Sequence, residues 1–404
     1  MQKIITDPQT IDEILERGTI VEILPTKKEF RNALLSGKKM RFYIGFDATA
    51  PTLHLSHAKN FMILEKFRKL GHEVIVLFGD FTARIGDPTG EYSARKQLSR
   101  EEVLQHVKKW RELITPLMDF ATSENPPKIM YNNEWLSKLN FEDLIHLASN
   151  FTVQQMIVRD MFQKRLKEEK PIYLHEFLYP LMQGYDSVAM NVDVEICGTD
   201  QIFNALAGRT LLKKLSGKEK YVVAVTLMEH PKTGELMSKS KGIGVFLDVP
   251  ANDMYGQVMA QGDEMITLLF IHNTHISLGE IENIMKRNTP RDAKMRVAFE
   301  ITKIFHGETL AKKAEEHFVK VIQRKQIPDS IPEIKIKESN VHIVDVLLKA
   351  GLAKSKNEAK RLISQKAIKL NDVIQTDCDA HCILTTKGII IQKGKRHFAK
   401  IVKK

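Results

Sequence analysis

Residues 41–46 (RFYIGF) read as a short strand, and residues 74–78 (VIVLF) form a continuous apolar run of the kind buried on both faces of a parallel sheet. Between them Ala58, Phe61, Met62, Glu65 and Lys69 follow helical spacing, and Phe61, Leu64, Phe67 and Leu70 supply apolar contacts. Gly71 is a natural stop, because glycine accepts the left-handed conformation that ends many helices. Strand, loop, helix, strand is a βαβ unit. Two further strand candidates, residues 192–197 (VDVEIC) and 221–227 (YVVAVTL), flank a segment that starts at Thr199 and Asp200 and reads as helix through Leu212. The predicted fold class is α/β, with a doubly wound parallel sheet.

The stretch between the two halves is largely helical. Ser99 and Glu102 make a capping box ahead of Val103, Val107, Trp110 and Leu113. From about Asp253 to Lys325 the pattern is helical again, and the following QIPDSIPEIKIKESN, rich in proline and polar residues, reads as a linker. Residues 344–375 (VDVLLKAGLAKSKNEAKRLISQKAIKLNDVIQ) read as two short helices and a turn into strands. Val346, Leu347, Leu352, Ala359, Leu362 and Ile363 need a core, and Gly351 and Asn371 mark turns. No internal repeat is evident.

With 404 residues the chain exceeds a single core, so two or three domains are expected. Charge divides the chain further. Residues 335–404 carry 16 Lys+Arg against 6 Asp+Glu, which leaves 45 against 44 for the remainder of a chain with net charge +11. A basic module on a neutral body is a footprint of nucleic-acid binding, although a merely solvated face has the same composition. Cys197, Cys378 and Cys382 are too few and scattered for a secreted disulfide framework. Cys378, His381 and Cys382 lack a fourth ligand, so no metal site is expected. The first residues carry acids and no signal-like apolar segment, and no run is long enough to span a bilayer. The expectation is a cytoplasmic protein.

The candidate chemistry rests on two short segments. His54-Leu-Ser-His57 follows the first strand, where the unpaired N–H groups and dipole of a helix start favour an anion and imidazoles add directional donors. Alone, two histidines three apart are equally compatible with an ordinary helix start. Met237-Ser-Lys-Ser240 alone is equally compatible with a mobile basic loop. Together they resemble the HIGH and KMSKS signatures of the class I aminoacyl-tRNA synthetases. The resemblance implies that His54, His57 and Lys239 serve catalysis on ATP, with Mg²⁺ on its phosphates. It further implies that Gly45, Asp47, Thr49, Gly198, Asp200, Met237, Ser238 and Ser240 line the ATP site. Ser56 replaces the glycine of the first signature, and Leu236 the first lysine of the second.

The amino acid is indicated elsewhere. Tyr179, Gln183 and Asp186 are spaced four and three apart, which lays a polar stripe along one helical face if Pro180 begins that helix. A half-exposed helix would look the same. The run YIGFDATAPTLHLSH (43–57), GDPTG (86–90), YPLMQGYD (179–186) and GTDQ (198–201) resembles the tyrosyl-tRNA synthetase family, in order and over nearly the whole chain. That likeness implies that Tyr43 and Asp186 bind the substrate phenol. Asp87, Tyr179 and Gln183 would hold the ammonium, and Gln201 would stand near the carboxylate. Glu91 stands where the family often has lysine, with Arg95 nearby as a substitute cation.

The basic tail resembles the small RNA-binding fold of ribosomal protein S-four, with Lys354, Lys356, Lys360, Arg361 and Lys366 as RNA contacts. The implied organisation is a Rossmann-like catalytic domain with a helical insertion (1–245), a helical anticodon-side domain (246–326), a linker (327–339) and an α+β RNA-binding domain (340–404). The implied partners are tyrosine, ATP, the tyrosine tRNA and a second copy of the chain. A tryptophanyl enzyme has less use for Tyr43 and Asp186, and a small nucleotidyltransferase has no need of the basic module. An RNA-binding paralogue without activity is the remaining alternative, motivated by Leu236.

Overall fold

The computed structural model describes residues 3–86, 98–122, 124–237, 244–323, 331–385, 388–394 and 397–404. Expected site residues Asp87, Ser238, Lys239 and Ser240, with Glu91 and Arg95, lie outside them. By its contacts the chain forms two compact units, residues 1–307 and 308–404.

The first unit is built on six strands: β1 (Ile20–Leu24), β2 (Arg41–Phe46), β3 (Glu73–Phe78), β4 (Lys128–Tyr131), β5 (Val194–Gly198) and β6 (Tyr221–Val225). Their order is β1-β6-β5-β2-β3-β4, parallel except for the edge strand β1, which runs antiparallel to β6. Strands β1 and β4 had no signal above their polar surroundings: β1 buries only Ile23 and β4 is half exposed. From β2 the chain winds outward through β3 to β4, then returns to β5 and β6 on the other side. The reversal between β2 and β5 is the place where open α/β sheets bind ligands. Strand β2 pairs with β3 along Arg41–Phe46 but with β5 only through Phe42–Val194 and Tyr43–Glu195. Beyond that pair the strands part, and a crevice opens at their carboxyl ends.

Helix α1 (Leu55–Lys69) ends before Gly71, whose φ of +99° is the left-handed stop expected there. It covers one face of the sheet, with Phe67 stacked on Phe42 of β2 at 4.5 Å between ring centroids. Helix α2 (Arg100–Ile114) starts on the Ser99–Glu102 capping box. It buries Val103, Val107, Trp110 and Ile114; Leu113, expected on that stripe, is only partly buried because the buried face runs through Ile114 instead.

Helix α3 (Leu174–Ala189) corrects the expectation that Pro180 begins a helix. The helix begins six residues earlier, and Pro180 lies inside it without the N–H that would bond back to Glu176. Glu176 anchors the helix start through its side chain: its Oε1 accepts from Tyr173 N at 2.8 Å, and its carboxylate pairs with the buried Arg165. A 3₁₀ turn at Thr199–Gln201 then leads into helix α4 (Ile202–Ser216). Helices Ala251–Met259, Ile266–Asn273, Leu278–Arg287 and Pro290–His306 complete the unit, the last capped by Thr289 with proline at its first position.

The second unit has its own core of Ile343, Val346, Leu347, Ala359, Ile363, Ile391 and Ile401. Helices α5 (Ile343–Lys349) and α6 (Lys356–Ser364) accompany strands β7 (Glu333–Ile336), β8 (Asn340–His342), β9 (Ile368–Leu370), β10 (Val373–Ile374), β11 (His381–Ile383), β12 (Ile389–Lys393) and β13 (His397–Lys403). Five strands form a sheet in the order β10-β9-β12-β13-β7, and β8 pairs with β11. The segment read as a linker therefore contains a strand: β7 runs parallel to β13 from Glu333–Lys400 to Ile336–Lys403. Its alternation, Glu-Ile-Lys-Ile, is an amphipathic strand pattern obscured by the two prolines that precede it. Among the described residues no helix is long and apolar enough to cross a membrane.

Candidate active site

The crevice between β2 and β5 is a cavity of about 290 Å³. Its walls bring together most of the residues singled out from the sequence: Tyr43, Gly45 and Asp47 from β2 and its exit, His57 from α1, Tyr179, Gln183 and Asp186 from α3, and Gly198, Asp200 and Gln201 after β5. His54 stands behind His57 at the helix start. Thr49 and Met237 do not reach the wall: Thr49 is exposed and Met237 is buried against Gly244. Leu236 is 44% exposed.

The deep end is a buried polar array. The Tyr43 hydroxyl lies 3.0 Å from Ser187 Oγ. Asp186 accepts from Trp135 Nε1 at 2.7 Å and from Asn132 Nδ2 at 3.3 Å. Burial pushes the Asp186 carboxyl well above the usual carboxylate range, against the pull of those two donors. Burial, reinforced by the charges of Glu195 and Asp186, likewise pushes the Tyr43 phenol up. Beneath them Lys220, fully enclosed, pairs with Glu195 and donates to Ser187 Oγ at 2.8 Å. Glu195 also accepts from Gln183 Nε2 at 3.1 Å, and Gln183 Oε1 accepts from Asn204 Nδ2 at 2.9 Å. The side chain of Gln183 is thus held at both ends, with no freedom to rotate its amide.

Asp47 organises the middle of the cavity. It accepts from Tyr179 Oη at 2.8 Å and from Thr82 Oγ1 at 2.7 Å. A Cβ on Gly79 would stand 2.0 Å from Asp47 Oδ1 and 2.2 Å from Thr82 Oγ1, so only glycine fits there. The loop after β2 is fastened from α2: His106 Nδ1 meets Ala48 O at 2.8 Å, and Trp110 Nε1 donates to Ala50 O at 2.7 Å.

At the outer end His54 caps α1, its carbonyl accepting from His57 N at 2.9 Å and its own N–H donating to His57 Nδ1 at 3.3 Å. The rings lie 4.0 Å apart. Burial, and then the charge of Lys59, brings His54 down to about 4; burial takes His57 well below its ordinary value. Both imidazoles are therefore neutral near pH 7 and act as hydrogen-bonding groups rather than cations. His54 Nδ1 is buried without a hydrogen-bond partner among the described residues, a polar capacity left for a ligand.

Several residues of this site escaped the sequence reading. Glu195 carried a visible signal, a charge inside the apolar strand VEIC, whereas Lys220 looked like one more lysine of a basic loop. Asn132, Trp135, Thr82 and Gly79 arrive through the tertiary fold and had no local signature. Lys59 was hidden at helical spacing among apolar neighbours.

In the second unit Lys354, Lys356, Lys360, Arg361 and Lys366 are all exposed, on or beside α6. Lys356 lies 3.7 Å from Asp345. Cys378 contacts Lys360 O and Ser364 Oγ, while Cys382 is buried in β11.

Comparison with known proteins places the chain. The model of tRNA synthetases class I (W and Y) matches residues 35–323, and that of the tyrosine–tRNA ligase SYY-like C-terminal domain matches residues 323–401. A tyrosine–tRNA ligase of Carboxydothermus hydrogenoformans is 41% identical, covering 96% of this chain and 97% of the relative; one of Thermotoga maritima is 42% identical, covering 98% of each. Among solved structures, a truncated mitochondrial tyrosyl-tRNA synthetase of Aspergillus nidulans shares the fold at TM-score 0.64 and 21% identity, covering 78% of this chain and 93% of that one. The tyrosine complex of the Archaeoglobus fulgidus enzyme does so at TM-score 0.59 and 18% identity, covering 76% of this chain and 100% of that one. The sheet reversal, the cavity at its mouth and matches that run along nearly the whole chain lead to one assignment: this chain belongs to the class I tRNA synthetases of the W and Y family.

Proposed function

We propose that the chain is a tyrosine–tRNA ligase, which activates tyrosine with ATP to tyrosyl-adenylate and pyrophosphate and then transfers tyrosine to the 3′ end of its tRNA. The observation that carries the choice of tyrosine is the presence of two buried polar groups, the Tyr43 phenol and the Asp186 carboxyl, on the wall of the same cavity. Such groups are satisfied by a substrate hydroxyl and left unsatisfied by phenylalanine. Gln183, clamped by Glu195 and Asn204, and Tyr179, together with Asp87, would hold the substrate ammonium; Gln201 would face its carboxylate.

That carboxylate is ionised at neutral pH and attacks the α-phosphorus without a general base; the bond to the β-phosphate bridging oxygen breaks and pyrophosphate leaves. The protein's part is alignment and charge stabilisation. His54 and His57 at the start of α1 offer neutral donors to phosphate oxygens, Lys239 a cation, and Mg²⁺ travels on the phosphates as part of the substrate. In this reading Gly45, Asp47, Gly198 and Asp200 line the nucleotide side, and Ser238 and Ser240, expected to serve it, lie outside the described residues. In the second step a hydroxyl of the terminal adenosine displaces AMP from the acyl carbon. The exposed cations of α6 would grip tRNA phosphates.

A homodimer in the cytoplasm is part of the proposal. A groove of about 340 Å³ is lined by Phe141, Leu136, Leu139, Leu144 and Leu178, and Ile145, Val153, Val158 and Leu174 of the same helical stretch are also exposed. An apolar surface of this kind supports a second copy as its cover. The deciding experiment is exchange of labelled pyrophosphate into ATP. Tyrosine should support it while phenylalanine and tryptophan do not; absence of exchange with any amino acid would favour the inactive paralogue.

A further inference from the structure

Lys59 is the fifth residue of α1, is 2% exposed, and lines the cavity beside Ser56, Asn60 and Asp200. A buried ammonium ordinarily has a carboxylate in contact. Lys59 has none within ion-pairing distance among the described residues. Its hydrogen bond runs from Nζ to the neutral Asn60 Oδ1, at 2.6 Å. Burial brings the amine down to about 7, and the charge of Asp200 partly opposes that fall. Lys59 and Asp200 therefore sense each other without touching, and both border the same space.

A group that fills such a gap must accept from an ammonium and donate to a carboxylate. A hydroxyl does both. We propose that Lys59 is a nucleotide-binding residue, its ammonium donating to a ribose hydroxyl oxygen of ATP while that hydroxyl donates to Asp200. The inference rests on the ligase reading, in which this end of the cavity holds adenosine. The competing account is a lysine that merely packs against Asn60 and steadies α1.

Pyrophosphate exchange on the full-length protein separates the two, with ATP, 2′-deoxy-ATP and 3′-deoxy-ATP compared for wild type, Lys59→Met and Lys59→Arg. Loss of one charge-assisted hydrogen bond should lower kcat/KM for ATP about tenfold in Lys59→Met and leave KM for tyrosine within about twofold. The preference for ATP over at least one deoxy nucleotide should shrink by a similar factor, and Lys59→Arg should recover part of it. If Lys59→Met leaves ATP kinetics unchanged, or loses equally on all three nucleotides, the ribose contact is refuted. If that variant does not fold, Lys59→Gln takes its place under the same criteria. A wild-type protein without exchange overturns the ligase reading and this inference with it, whereas an active wild type with an unchanged ATP preference in the variants overturns this inference alone.

Discussion

At the residue scale the site is a set of side chains that are held before any ligand arrives. Tyr43 rests on Ser187, Asp186 on Trp135 and Asn132, and Gln183 between Glu195 and Asn204. Preorganisation of this kind turns small geometric errors into large penalties for the wrong substrate. Replacing Asp186 with asparagine should cut the preference for tyrosine over phenylalanine by about 10- to 100-fold, the worth of one buried, unsatisfied polar contact. The ratio of kcat/KM values in pyrophosphate exchange measures it, and an unchanged ratio would remove Asp186 from substrate selection. Tyr43, Gly45 and Asp47 on β2 and its exit, and Tyr179, Gln183 and Asp186 on α3, were readable in the sequence because motif spacing survives without the fold. Their supports were not. Trp135, Asn132 and Lys220 stand 51, 54 and 33 positions from the residues they hold, and no local pattern reports a contact at that range.

At the element scale α3 shows how local chemistry and tertiary packing divide the work. Its interior proline deprives Glu176 of a main-chain partner, and the sequence pattern suggested a helix start at that proline. The longer helix persists because Glu176 is tied both to Tyr173 N and to Arg165, with the two charged side chains almost wholly enclosed. Removing one member of such a pair strands the other charge in the interior, at a cost of about 3 kcal/mol or more. Arg165→Met should accordingly lower Tm by several degrees and raise KM for tyrosine, since Tyr179, Gln183 and Asp186 ride on this helix. A variant that melts with wild type and keeps its tyrosine KM would show that α3 needs no such anchor. Strand β7 makes the reverse case: composition read it as linker, yet four residues of alternating polarity pair with the last strand of the chain.

At the scale of the whole molecule that pairing decides where the chain can be divided. The basic unit begins well before its helices, and its sheet is incomplete without residues 333–336. Ending the chain after residue 323, where the two family matches meet, should leave tyrosine-dependent exchange within about threefold of wild type and weaken aminoacylation by an order of magnitude or more. Filter-binding and aminoacylation assays read the loss; equal loss of exchange would mean that the two units are one functional body. Ending it at residue 339 instead leaves β7 without β13 and bares Ile336, so that protein should be the less soluble of the two. The basic character of the tail was legible from charge, but the strand that precedes its helices was not, because it is drawn by strand pairing rather than by composition.

The short partnership between β2 and β5 has one more implication. After Tyr43 and Glu195 the two strands no longer bond to each other, so amide and carbonyl groups of the next residues are turned to the cavity without a ladder partner between them. Such groups belong to every amino acid but proline, which lacks the N–H. A drifting sequence can exchange a side chain on the cavity wall, as Ser56 illustrates, and still inherit the same main-chain rim. Part of this cavity is therefore written in topology, and among point mutations it is exposed chiefly to proline, which removes an N–H, and to side chains placed on glycines such as Gly79.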